Sequence, residues 1–238
     1  MKQHLLNVSG LRAGYGNAQV LFGVDMAMRE GEVITLLGRN GMGRSTTIKC
    51  LFGLLPPKAG DITFAGQRTE QLQPYQIARL GLGLVPEGRQ VFPNLTVEEN
   101  LVATARANGA NGLKPWTLDR VYGFFPRLQE RRFNLGSQLS GGEQQMLAIG
   151  RALMTNPKLV VLDEATEGLA PLIRTEIWKA LAGLKAEGLS LIVIDKNLGP
   201  LLELADRHFV LEKGRVVWSG TSEQLRADPA TVHEYLGV

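Results

Sequence analysis

One cysteine in 238 residues, Cys50, cannot close a disulfide within the chain. A lone thiol suits a reducing compartment, and its simplest use is as a small buried hydrophobe. Long apolar runs are missing as well. The best stretches, 33–37, 159–162 and 191–194, fall far short of the roughly 18 residues that cross a bilayer, so any membrane contact is expected to be peripheral. The amino-terminal MKQHLLNVSGLRAGYG has none of the charged start, long apolar core and small-residue cleavage site of a secretory signal. The expected location is therefore cytoplasmic. Charge of one sign is scarce too: 26 Lys and Arg stand against 23 Asp and Glu, a net +3 with a pI near 9.1 and no basic block. That balance argues against nucleic acid as a partner. With 44% hydrophobic, 21% charged and 6% aromatic residues, the composition is that of a folded globular chain. Its length allows one large domain or a core carrying a smaller subdomain.

Three short aliphatic runs read as buried parallel strands, Glu32 to Leu37, Leu159 to Leu162 and Ser190 to Ile194. Each is followed by Gly, Asp or Lys chemistry, where open parallel sheets place their ligands. Asp61 to Phe64 alternates apolar with polar before Ala65-Gly66, and Arg207 to Leu211 with Arg215 to Trp218 flank Lys213-Gly214 as a hairpin. These predict an antiparallel edge. From Leu95 to Leu153 helical signals dominate: Thr96 and Glu99 have capping-box spacing, and Leu101 and Ala105 continue an apolar face. The stretch Ala107 to Pro115, with two Asn-Gly pairs, reads as a loop.

Gly38-Arg39-Asn40-Gly41-Met42-Gly43-Arg44-Ser45-Thr46 follows the first aliphatic run and precedes a helical stretch. It fits the phosphate-loop pattern, with Arg44 where Lys is usual. Glycines let successive amides turn toward an anion, the helix amino terminus adds a positive dipole, and Ser45 offers an oxygen to Mg²⁺. A glycine-rich turn that merely caps a helix is the alternative. Lys158 to Glu164 reads as a buried strand delivering two carboxylates to a sheet edge, where Asp163 could hold Mg²⁺ and Glu164 polarise a water as general base. A strand ending in a solvated turn would look the same. In Leu139-Ser140-Gly141-Gly142-Glu143-Gln144-Gln145, Ser140 and Glu143 again have capping-box spacing. Two glycines in a first helical turn weaken it, so they point to close approach of a phosphate or another chain.

The phosphate loop, the LSGGEQQ run and the acidic strand, in this order, resemble the ATP-binding subunit of an ABC transporter over nearly the whole chain. The resemblance implies a P-loop NTPase (RecA-like) α/β core, 1–94 and 154–238, with an antiparallel β edge and an inserted α-helical subdomain, 95–153. It implies ATP and Mg²⁺, with Tyr15 stacked on adenine, residues 38–46 around the phosphates, Ser45, Glu87 and Asp163 at the metal, and Glu164 and Lys196 catalytic. On spacing alone, Tyr15 reads nearly as well as a buried strand aromatic. Ser140, Gly141 and Gly142 would bind the γ-phosphate of ATP held by a second cassette, in a homodimer or heterodimer. Two transmembrane permease subunits and, indirectly, a periplasmic or extracellular solute-binding protein complete the implied assembly on the inner face of the plasma membrane.

Gly38-Arg-Asn-Gly-Met-Gly, Val85-Pro-Glu-Gly-Arg-Gln-Val-Phe-Pro93, Glu167-Gly-Leu-Ala-Pro171 and Ala205-Asp-Arg207 resemble the shorter ATPase subunit of branched-chain amino acid importers. Urea and short-chain amide importers share much of this pattern. Three positions depart from the family: Arg44 for the loop Lys, Glu87 for a Gln that touches Mg²⁺, and Lys196 for a switch His. These departures leave open a largely non-hydrolysing nucleotide-binding partner in a heterodimer. A repair or translation ATPase would need a second fused cassette or a coiled-coil insertion, and neither is visible.

Overall fold

Aliphatic runs and short turns dictate a layered α/β chain, and the computed structural model, which describes residues 4–106 and 114–236, has that form. Most of the loop expected at Ala107 to Pro115 lies outside the described residues. Two compact units divide the chain, residues 1–80 with 192–238, and residues 81–191.

In the first unit, β1 (Leu6–Tyr15) pairs antiparallel with β2 (Ala18–Met28) and with β4 (Ala59–Phe64), which pairs in turn with the short β5 (Gln67–Arg68). This is the expected antiparallel edge. A second set forms around β3 (Val33–Leu37), VITLL, whose five residues are all buried, as a strand covered on both faces must be. Parallel to β3 lies β9 (Arg207–Glu212), and β10 (Arg215–Thr221) returns antiparallel to β9. The hairpin turn is Lys213 (φ 46°) and Gly214 (φ 72°), the left-handed pair that a two-residue connection requires. Helix α1 (Arg44–Leu51) follows β3, and α2 (Pro74–Arg79) precedes the second unit. Cys50 sits buried on α1, where desolvation pushes its thiol up to about 11, as expected for an inert packing residue.

The second unit carries β6 (Leu82–Val85) parallel to β7 (Leu159–Asp163) and, among the described residues, five α-helices. These are α3 (Val97–Val102), α4 (Leu118–Phe124), α5 (Pro126–Glu130), α6 (Gly141–Met154) and α7 (Pro171–Ala186). The Thr96/Glu99 capping box forms at α3, but α3 stops at Val102, so Ala105 does not extend its face. A Cβ on Gly150 of α6 would meet Leu101, Val121 and Leu128, at 2.9, 3.0 and 3.7 Å, so α3, α4 and α5 converge on one point of α6. Strand β8 (Ser190–Ile194) begins at the end of this unit and finishes in the first, where α8 (Leu198–Leu204) follows it.

A buried histidine on β9 ties β3 to the carboxyl-terminal part of the first unit. His208, fully buried, has Nδ1 2.7 Å from Thr35 Oγ1 and Nε2 2.8 Å from Ser222 Oγ. Ser222 donates to Ala205 O, so its oxygen is left to accept from Nε2–H and the neutral ring accepts from Thr35 at Nδ1. Burial, helped by nearby Arg226, pulls the imidazole pKa down to about 4 from 6.5. A depressed histidine pKa means the unfolded chain binds the proton first. Stability is therefore complete above pH 6.5 and falls toward pH 4, by on the order of 3 kcal/mol if the whole shift is realised. We expect His208→Gln to flatten the fall in melting temperature between pH 6.5 and 4, read by circular dichroism against wild type.

Candidate functional site

The phosphate loop lies where β3 ends. Gly38 has φ 139° and its missing Cβ would collide with the Leu211 carbonyl, so no other residue fits. Met42 O accepts from Gly214 N–H at 3.0 Å, and Met42 Sδ lies 3.3 Å from Lys213 N. The β9–β10 hairpin turn therefore supports the loop from beneath. Gly43, left-handed at φ 108°, precedes α1, and no side chain caps that helix end. Its amino-terminal dipole is left to an anion. Ser45 is exposed, whereas Thr46 is buried.

Arg44 is only 8% exposed, and its Nη2 donates to Asn40 Oδ1 at 3.0 Å. Both line a cavity of about 350 Å³ together with Gly38, Asp195, Lys196 and Leu201. Asp195 is buried and accepts from Asn197 N at 3.0 Å and Asn197 Nδ2 at 2.6 Å, a turn that leaves Lys196 exposed. Tyr15 ends β1 and is 47% exposed, which rules out its reading as a buried strand aromatic. Lys49 Nζ lies 3.3 Å from its hydroxyl and 5.4 Å from its ring centre. Sequence spacing gave no hint of Lys49, because 34 residues separate it from Tyr15.

In the second unit, Leu159 to Leu162 are buried and Asp163 ends β7 half-buried. Glu164 follows at φ 52°, a left-handed backbone costing a residue with a Cβ about 1–2 kcal/mol. That turn brings the Glu164, Glu87 and Glu167 carboxylates within 4.8 Å of one another. An all-carboxylate donor set suits a hard divalent cation such as Mg²⁺. Ser140 caps α6 as expected: its Oγ accepts from Glu143 N at 3.3 Å and its own N–H donates to Glu143 Oε2 at 2.8 Å. The two glycines have internal neighbours that the sequence did not reveal. A Cβ on Gly142 would lie 2.5 Å from Ile173 of α7, and one on Gly141 would collide with the Arg89 guanidinium.

The model of the family described as ABC transporter matches residues 21–167. The chain belongs to the ABC transporter family. It is 40% identical, over 98% of its length and all of the relative's, to the high-affinity branched-chain amino acid transport ATP-binding protein BraG of Pseudomonas aeruginosa. It is 32% identical, over 98% of its length and 97% of the relative's, to the lipopolysaccharide export system ATP-binding protein LptB of Haemophilus influenzae. The crystal structure of an ATP-binding cassette of an ABC transporter in its ADP conformation superposes with a TM-score of 0.82, at 26% identity, covering 97% of this chain and 98% of that one. This cassette is thus a nucleotide-binding ATPase subunit, and its hydrolysis of ATP is coupled to transport. Cassettes of this family dimerise and work with transmembrane permeases; among the described residues no helix is long and apolar enough to cross a membrane itself.

Two outcomes test the site's construction. Gly142→Ala should cost the fold about 1–3 kcal/mol through overpacking against Ile173, seen as a lower denaturation midpoint in urea. Arg44→Lys should keep or strengthen ATP binding in equilibrium titration, because Lys carries the same charge in a more compact form.

Proposed function

We propose that this cassette energises the import of branched-chain amino acids. The observation that carries the reading is its 40% identity to BraG over essentially the full length of both chains, and the Val85 to Pro93 and Glu167 to Pro171 motifs support it. In this reading Tyr15 stacks on adenine, its exposure leaving the ring available. Residues 38–46 wrap the phosphates with backbone amides, and Arg44 neutralises their charge. Ser45, Glu87 and Asp163 offer the oxygens for Mg²⁺, which when bound spreads the charge of the transferred phosphoryl group. Glu164 orients water and takes its proton, and Lys196 places a cation beside the γ-phosphate. Ser140, Gly141 and Gly142 serve the nucleotide of a second cassette, as in a heterodimer.

The partners proposed are that second cassette, two transmembrane permease subunits and, through them, a solute-binding protein, with the cassette on the cytoplasmic face of the membrane. Loop 87–92 and helical residues 95–153 form the docking surface. Exposed Gln90 and Phe92, the latter 43% exposed, support this assignment.

Detergent pull-down of the tagged chain from its native membrane should retain two permeases and a second ATPase. Vesicles reconstituted with that complex should take up leucine on addition of ATP; uptake of urea or acetamide alone would reassign the solute. Glu164→Gln should lower kcat for ATP by roughly 100-fold or more, the usual worth of a positioned general base, and leave ATP affinity within about threefold. Unchanged turnover would remove Glu164 from the mechanism.

A further inference from the structure

Loop 88–92 bears an unusual backbone. Gly88, Arg89 and Gln90 follow one another at φ 83°, 65° and 28°, so two residues with a Cβ are held left-handed in succession. Left-handed runs in side-chain-bearing residues persist only where surrounding contacts hold them. One end is fixed by Asn100 of α3, fully buried, which accepts from Phe92 N at 2.8 Å and donates to Phe92 O at 3.0 Å. The strained middle is held by α6. Arg151 Nη1 donates to Gln90 O at 2.5 Å, and its guanidinium carbon stands 4.0 Å over the centre of the Phe92 ring. The Arg151 backbone is itself anchored, its carbonyl accepting from Thr104 Oγ1 at 3.1 Å. Its Nε is buried with no partner among the described residues. The loop thus half-buries this side chain without satisfying all of it, a cost that the bond to Gln90 and the Phe92 stack offset.

Ten residues earlier on the same helix, the loop's apex returns to α6. The Arg89 guanidinium crowds the place a Cβ on Gly141 would take, and a Cβ on Gly168 would lie 3.9 Å from Arg89 Nη2. Helix α6 therefore meets one loop at both ends, through Arg151 near its carboxyl end and Gly141 at its amino end.

We infer that Arg151 is a positioning residue, which clamps Gln90 and Phe92 so that the left-handed run sets Arg89 over the Gly141 turn of α6. Loop and signature turn then move together. A subunit pressing on Gln90 or Phe92 acts on the Ser140–Gly142 turn without touching it. This rests on the docking role proposed above for loop 87–92, but the clamp itself is testable without transport.

Limited trypsin digestion of the full chain, with fragments identified by mass, reports release of the loop as cleavage after Arg89. Arg151→Met, which keeps length but loses charge and donor, should speed that cut roughly tenfold, the worth of one charge-assisted hydrogen bond. Arg151→Lys, which keeps the cation over Phe92, should fall between Met and wild type. In the reconstituted transporter Arg151→Met should lower kcat by a similar factor and leave KM for ATP within about twofold, because the phosphate loop is untouched. A folded Arg151→Met cut after Arg89 at the wild-type rate overturns the clamp. If that variant does not fold, Phe92→Leu, at a side chain 43% exposed, decides: a severalfold faster cut supports the clamp, and an unchanged rate overturns it. Absence of ATPase activity in the wild-type complex would overturn the functional reading, with the digestion still deciding the role of Arg151.

Discussion

Backbone-to-backbone contact between the phosphate loop and the β9–β10 hairpin is the constraint on which the first unit depends. Gly38 has no room for a Cβ against the Leu211 carbonyl, Gly43 has Leu21 2.7 Å from its missing Cβ, and Gly214 is closed in by the Val20 carbonyl. The loop belongs to no strand, so no ladder of sheet hydrogen bonds holds it. Instead it is gripped from behind, by Gly214 N–H on Met42 O at 3.0 Å, while Gly214 O accepts from Phe22 N at 2.8 Å. One glycine turn thus joins the loop to both β2 and β9–β10. Removing it would free a segment whose conformation is intrinsically unfavourable, and the anion site would be lost with the fold around it.

Buried polar side chains do the equivalent work for the other irregular segments. Asn100 satisfies Phe92 N, Phe92 O, Leu95 O and Thr96 O at once. Asn156 accepts from Trp116 N at 2.6 Å and donates to Arg106 O at 2.6 Å. Each is a side chain that would be costly to bury alone and is stable because its polar atoms meet backbone groups of the irregular segments beside it. The segments around the helices are therefore ordered by single residues, whereas the strands are ordered by repetition.

That difference explains what could be read from the sequence. The strands at 33–37, 159–163 and 190–194 were legible because aliphatic repetition is local, and so were the capping boxes at Thr96 and Ser140, which need only four consecutive residues. The hairpin at Lys213-Gly214 was legible for the same reason. It was family resemblance, not local pattern alone, that marked the phosphate loop and the LSGGEQQ run as candidate sites. What could not be read were contacts between residues far apart in sequence. Lys49 on Tyr15, Ile173 against Gly142 and Arg151 on Gln90 bridge 34, 31 and 61 positions, and no spacing rule spans such distances. Tyr15 shows the limit from the other side: its strand position suggested burial as readily as stacking, and only the end of β1 leaves its ring exposed.

The three departures from the family pattern also gain a physical sense once their surroundings are seen. Arg44 keeps the charge of the usual Lys, and its extra reach is taken up by Asn40, so the guanidinium is fixed within the loop. Glu87 for Gln adds one negative charge beside Glu164 and Glu167, and Lys196 for His adds one positive charge beside Asp195. Summed over the motif residues, the two changes cancel. The Glu87 carboxylate lies with those of Glu164 and Glu167 within 4.8 Å, where like charges raise one another's energy. Lys196 offers donors alone, where an imidazole could also accept a hydrogen bond. At two points of its motifs the cassette thus carries charged side chains where the family pattern has neutral hydrogen-bonding ones, and because the two charges are opposite the summed charge of those motifs is unchanged.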